Sequence, residues 1–357
     1  MRRAVLVILL ALLVAPAAAD AKLPRSWPHQ LQIGVTSQPG TAAALKQQAP
    51  FGLRYQYLAG GVNTGSGWAT WNENGTFVSR YIAESRAVGM TPVFTYYQLL
   101  QSRPAAGGDE KAKDLANLRN PATMVAYWKD FALFLRRAKG HRPVVAHIEP
   151  DLWGYLEQAG ATSDARRFAD HVVRLRNRIA PNVVLAWHLS IWGTGEDPTY
   201  SNPPIGHMAA LAAKSARFWR AAHGPRFDLT FVDVEDRDAG FNAKINGDPN
   251  SGWDGADYDR AAAYLRAFHR RTRTPLVIWQ IPLGNSTLPD EWDRFKDTRV
   301  ETWLGQRPRL VQLRDAGVVA LLFGGGAEGT TSPQTDGGLF FRLSAAYYRD
   351  PLRARYR

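Results

Sequence analysis

The sequence contains no cysteine. That absence removes disulfides, thiolate metal ligands and thiol chemistry together, so the fold must draw its stability from an apolar core. The 357 residues can supply one, because chains of this size bury most of their surface on folding. Long hydrophobic runs are also missing, except at the start, where Arg2 and Arg3 precede an apolar stretch from Ala4 to Val14 and small residues from Ala17 to Ala19. This is the layout of a secretory signal peptide over residues 1–19, with Asp20 opening the mature chain of residues 20–357. The apolar stretch is too short to cross a bilayer comfortably and ends at Pro16, so a secreted protein, extracellular or periplasmic, is expected rather than stable membrane insertion.

Other signatures are absent as well. No Gly-rich nucleotide fingerprint follows any strand-like segment, which argues against a dinucleotide cofactor. No HxH, HxxxH or HExxH spacing occurs, so His147, His188 and His207 could meet at a metal only through the fold, and no metal or cofactor is expected. The Asp- and Asn-rich segment from Asp248 to Asp259 does not match a calcium loop. The formal charge of +12 would attract anionic partners outside the cell, such as acidic polysaccharides. Its arginines, however, are scattered over helix-like segments (Arg136, Arg137, Arg166, Arg167, Arg270, Arg271). Dispersed charge without a recognition helix or basic arm points away from nucleic acid.

What is present is an alternation. Short apolar, β-rich runs recur from Leu31 to Thr36, Leu53 to Leu58, Thr91 to Tyr97 and Val144 to Glu149. They continue from Val183 to Leu189, Leu229 to Glu235, Leu276 to Ile281 and Val318 to Phe323. Between them lie stretches of helical spacing, such as Val78 to Val88, Pro121 to Ala138, Ser163 to Ile179, Met208 to Ala222, Asp257 to Thr272 and Gly305 to Ala316. Eight such units in this length predict a single α/β domain, a (β/α)8 barrel with long loops after its strands; a doubly wound open sheet ranks second. Active sites of such barrels sit where the strands end, at their C-terminal face.

Two strand ends concentrate the chemistry. The segment V-V-A-H-I-E-P-D-L-W-G-Y, Val144 to Tyr155, ends its apolar run in Glu149, Pro150 and Asp151. Strand alternation puts His147 and Glu149 on one face, so a barrel would aim Glu149 into its mouth, where desolvation suits a general acid; an ion pair with Arg54 is the structural alternative. The segment D-L-T-F-V-D-V-E-D-R-D, Asp228 to Asp238, places Asp233 and Glu235 on one face, with Glu235 as the second carboxylate and Asp233 one pleat deeper to orient it. Glu328 is a further candidate, whereas Glu301 fits an ion pair with Arg299 or Lys296. Asp151, Asp233, His188 and Gln280 are expected to support the site. With 12 tryptophans in the chain, the aromatic and amide groups near strand ends (Gln56, Tyr57, Tyr96, Tyr97, Gln98, Trp153, Trp187, Trp192, Trp253 and Trp279) form a surface suited to pyranose rings, which offer an apolar face and a hydroxyl rim.

With I-E-P-D at Ile148 to Asp151 and the tryptophan-rich strand ends, the chain resembles secreted bacterial glycoside hydrolases of the (β/α)8 type. The resemblance implies hydrolysis of a glycosidic bond in a polysaccharide or oligosaccharide by two carboxylates. In the large retaining clan of such enzymes an acid/base glutamate follows strand four, which Glu149 matches, and a nucleophile glutamate ends strand seven, where this chain has Gln280. Ile148 stands where that clan has asparagine. Other barrel glycosidases pair carboxylates on strands four and six, which Glu149 and Glu235 would do. The rival from another class is a non-catalytic extracellular barrel that binds polysaccharide; an extracellular uronic-acid lyase is a third reading.

Overall fold

The computed structural model describes residues 22–356; the expected signal peptide, residues 1–19, and the expected mature N-terminus at Asp20 lie outside them. Eight parallel strands close into a barrel in chain order, β1 pairing with β8. They are β1 (Gln32–Thr36), β2 (Leu53–Leu58), β3 (Thr91–Tyr96), β4 (Val144–Ile148), β5 (Val183–Ser190), β6 (Leu229–Asp233), β7 (Leu276–Ile281) and β8 (Val318–Phe323). The (β/α)8 architecture expected from the alternation of apolar runs is the one observed. The strands read as continuous apolar runs because both of their faces are covered, one by helices and the other by the barrel's own interior.

Those two faces separate cleanly. Leu53, Tyr55, Val93, Val145, Ala186, Phe231, Val277 and Leu322 fill the interior, and Trp27 and Tyr356 pack onto this same cluster. Ile33, Phe94, Ala146, Ile148, Leu185, Val232, Ile278 and Leu321 point outward into the larger core beneath the helices. The helix Pro121–Ala138 shows how a helix meets that layer. Asn120 caps it by accepting from the Thr123 N–H, Pro121 occupies its first turn, and Thr123, Tyr127, Phe131, Phe134, Leu135 and Ala138 form its buried stripe. Each phenylalanine so buried contributes roughly 1.5–3 kcal/mol of transfer free energy.

Several sequence expectations need correction at the level of contacts. Arg54 faces outward and pairs with Glu84 at 3.2 Å, its guanidinium lying over the Tyr81 ring, so it is not an interior partner for Glu149. Glu301 accepts from the Ser286 hydroxyl at 2.8 Å, while Arg299 pairs with Asp297. In the acidic segment 248–259, Asp254 and Asp257 form a capping box at the start of the helix Gly255–Thr272. No helix among the described residues is long and apolar enough to cross a membrane.

Candidate active site

At the C-terminal end of the barrel a cleft of 560 Å³ opens over β2 to β7, with Tyr57, Asp151, Asp233, Trp279 and Gln280 among its lining residues. A second chamber of 190 Å³ adjoins it, containing Asp197, Tyr200, Glu235 and Trp253. Trp192, Asp233 and Asp236 line both, so the two form one continuous groove.

Asp151 and Asp233 meet at the floor. Asp233 is the last residue of β6 and points into the cleft, as does Trp279 paired with it on β7. Asp151 arrives differently. Glu149 and Asp151 both adopt left-handed backbone, with φ of 44° and 68°, a conformation uncommon outside glycine. The chain thereby turns sharply after Ile148, and Trp153 anchors the turn from behind by donating to the Ile148 carbonyl at 2.9 Å. The alternation that would aim Glu149 at the mouth ends at this turn. Its carboxylate accepts the backbone N–H groups of Gln98 at 3.1 Å and Leu99 at 3.2 Å, and it is fully buried beside Tyr127, behind the barrel wall. Burial pushes its carboxyl up to about 8.

The carboxyl of Asp151 is half-buried in the cleft and takes a hydrogen bond from the Tyr97 hydroxyl at 3.3 Å. Burial and then the charge of Asp233 raise it to about 6, against the opposing influence of His188. Asp236, facing both chambers, is raised to about 7 chiefly by burial, while Arg237, paired with it at 2.7 Å, pulls the other way. Glu235 lies past the end of β6 in the smaller chamber, where one carboxylate oxygen accepts the N–H groups of Asp236 at 2.9 Å and Arg237 at 3.2 Å.

His188 Nε2 stands 3.1 Å from Asp233 Oδ1, and its Nδ1 lies 2.9 Å from His147 Nε2. One ligand atom each of Asp151, His188 and Asp233 lies within 4.8 Å of the others, so these three side chains could also hold a metal ion.

The structure divides the remaining expected residues. Trp192, Trp279 and Gln280 line the cleft. Gln280 reaches it because β7 is irregular between Ile278 and Ile281 and Gln280 itself has φ of 60°, which turns a residue out of simple alternation. Gln56, Tyr96, Gln98 and Trp153 lie elsewhere. Gln56 bonds to Ser37 and Gln38 outside the barrel, Tyr96 donates to Asp130 at 2.5 Å, Gln98 is buried in the segment after β3 whose N–H groups bind Glu149, and Trp153 stacks on Trp187 at 3.5 Å. Glu328 is exposed on the loop after β8. Tyr57, expected among the strand-end aromatics, lines the cleft, and so do Tyr155 and Asp236, which the sequence did not single out. Tyr57 was legible, two residues beyond the interior Tyr55 on the same strand face; Tyr155 and Asp236 sit on segments whose course only the turns decide.

No family model matches the chain, and no curated protein matches it. Solved structures do match. A double mutant of a Cellulomonas fimi endo-β-1,4-mannanase aligns over 91% of this chain and 72% of its own, with 14% identity and a TM-score of 0.57. The GH26 β-mannanase BoMan26A of Bacteroides ovatus aligns over 91% of both chains, with 13% identity and a TM-score of 0.55. A GH113 β-1,4-mannanase covers 90% of this chain and 100% of its own, at 10% identity and a TM-score of 0.53. At such identities the likeness is one of fold.

Proposed function

We propose that the chain is an exported glycoside hydrolase that cleaves a neutral polysaccharide or oligosaccharide, with Asp151 as general acid and Asp233 as the opposing carboxylate. The observation that carries this reading is the Asp151–Asp233 pair, within 4.8 Å through their oxygen atoms, at the floor of an open groove with aromatic lining on a barrel's C-terminal face. The fold likeness to mannanases agrees with it. We read the pair as a retaining one, since retention needs carboxyls roughly 5–5.5 Å apart and inversion roughly 6.5–9.5 Å. In the first step the Asp151 proton passes to the leaving glycosidic oxygen as that bond breaks, and an Asp233 oxygen bonds to the anomeric carbon. In the second, Asp151 takes a proton from water, whose oxygen displaces Asp233 and frees the sugar.

The lining also selects the substrate. Glu110, Asp151, Asp197, Asp233, Glu235 and Asp236 face the groove, against Arg237 as its cation. A uronic-acid polymer would bring like charge into this acidic groove, while Trp192, Trp279, Tyr57 and Tyr155 offer faces for neutral pyranose rings. The reading is tested by reducing-sugar release from β-1,4-mannan, cellulose and xylan, comparing wild type with Asp151→Asn and Asp233→Asn at equal folded concentration. Each substitution should lower the rate at least about a hundredfold, the lower range for losing a positioned acid or base. Sugar binding without release by the wild type would replace this reading with that of a non-catalytic carbohydrate-binding barrel.

A further inference from the structure

Beneath the cleft the barrel interior carries a run of polar side chains from four successive strands. Thr95 on β3, His147 on β4 and His188 on β5 are fully buried, and Asp233 ends β6. Thr95 Oγ1 lies 3.2 Å from His147 Nδ1, His147 Nε2 lies 2.9 Å from His188 Nδ1, and His188 Nε2 lies 3.1 Å from Asp233 Oδ1. Thr95 and His147 are register partners, whereas His188 sits two residues beyond Ala186, the partner of His147. The contacts therefore climb through the stagger of the barrel toward the cleft. Phe231 and Trp279 pack against the His147 ring at 4.5 and 4.7 Å, which fixes its orientation and keeps water away.

We infer that Thr95, His147 and His188 form a directed hydrogen-bond chain that presents an N–H of His188 to the Asp233 carboxylate. The inference rests on the reading of Asp233 as the reacting carboxylate and assigns His147 and Thr95 as positioning residues.

The direction follows from counting protons. A neutral imidazole carries one N–H and one lone pair. If a neutral His188 presents Nε2–H to Asp233, its Nδ1 must accept, so His147 must donate from Nε2 and accept at Nδ1, and the Thr95 hydroxyl donates to it. The Thr95 and His147 hydrogens then have acceptors, and the His188 Nε2–H faces Asp233 Oδ1 at 3.1 Å. In the opposite direction Thr95 accepts, and its own hydrogen has no acceptor recorded among the described residues, a costly state for a buried hydroxyl. His147 is fully buried, and burial holds its imidazole well below the usual range. The 3.1 Å contact between His188 and Asp233 is bent away from full hydrogen-bond geometry. Both atoms thus retain capacity for the groups that gather there when substrate binds.

This arrangement differs from a metal centre in one measurable respect. A divalent ion held by Asp151, His188 and Asp233 would need the His188 Nε2 lone pair, and hence Nδ1–H on both rings. Long-range 1H–15N spectra of the 15N-histidine-labelled protein, assigned by the signals lost in His147→Gln, read the tautomers directly and require no turnover. The expected result is Nε2–H on both rings, unchanged when Zn2+ or Mn2+ is added at equimolar concentration. Nδ1–H on His188, or an Nε2 signal that moves stoichiometrically with either ion, would overturn the inference in favour of a metal site.

Kinetics supply a second readout. His147→Leu removes the donor and should lower kcat about tenfold or more with little change in KM, because Asp233 is misaligned while the sugar-binding walls remain. His147→Gln, which keeps a donor at the ε position, should recover most of that loss. Equal losses in both variants would show that the ring serves packing alone and would also overturn the inference. Nε2–H on both rings in a protein that releases no sugar would count against the glycosidase reading and leave the direction of the chain standing.

Discussion

Asp151 and Glu149 stand two positions apart and hold opposite fates. Asp151 must carry a proton to act as an acid, and its carboxyl, raised to about 6, loses that proton as pH rises. Activity should therefore decline as pH increases through about 6, a limb that a kcat/KM profile would show and that a flat profile would contradict. Glu149 gives a stability effect instead. Its carboxyl is raised to about 8 in the folded chain, above the ordinary value of about 4.3. The folded state thus holds the proton more tightly, and its stability falls as pH rises across that window. Glu149→Gln cannot ionise, so denaturation should find the variant gaining on wild type between acid pH and pH 8, by a few kcal/mol at most. Parallel curves would mean the carboxyl is not neutral when folded. Because Glu149 lies behind the wall, the same variant should keep its activity within several-fold.

At the scale of elements, the strands were legible almost residue by residue, since a parallel strand covered on both faces declares itself as an apolar run. β2, β7 and β8 have the boundaries expected from their sequences, and the expected start of β4 at Val144 holds. What alternation could not convey were the strand ends. β4 stops at Ile148 and β6 at Asp233, each short of the glutamate read as its last residue. Left-handed backbone at Glu149 and Gln280 then breaks the two-residue period. Trp153 and Tyr96 were read as sugar platforms because they neighbour these ends, yet both face the helix layer. Close packing within the barrel is testable at Gly34 on β1, where an added Cβ would lie 2.8 Å from the Leu53 carbonyl oxygen and 2.5 Å from a Leu322 methyl. Gly34→Ala should destabilise the fold by about 1–3 kcal/mol, seen as a lower midpoint in urea, and an unchanged midpoint would show that β1 and β2 can separate freely.

For the whole molecule, charge is unevenly placed. The chain is formally +12, yet the groove is lined by carboxylates with Arg237 as their counterweight. Preference for neutral mannan over polygalacturonate should accordingly be strongest at low salt and shrink as ionic strength rises, because screening acts on the repulsive substrate alone. A preference for the anionic polymer would reverse the assignment of substrate charge. The sequence alone determined the barrel and the residue types available at its strand ends, because apolar periodicity and strand-end polarity are local properties of the chain. Only the tertiary structure decided which carboxylates meet. That choice depends on turns of one or two residues after Ile148 and Ile278, and on a stagger that lifts Thr95, His147, His188 and Asp233 into one line across four strands. Neither leaves a trace in the spacing of residues along the sequence.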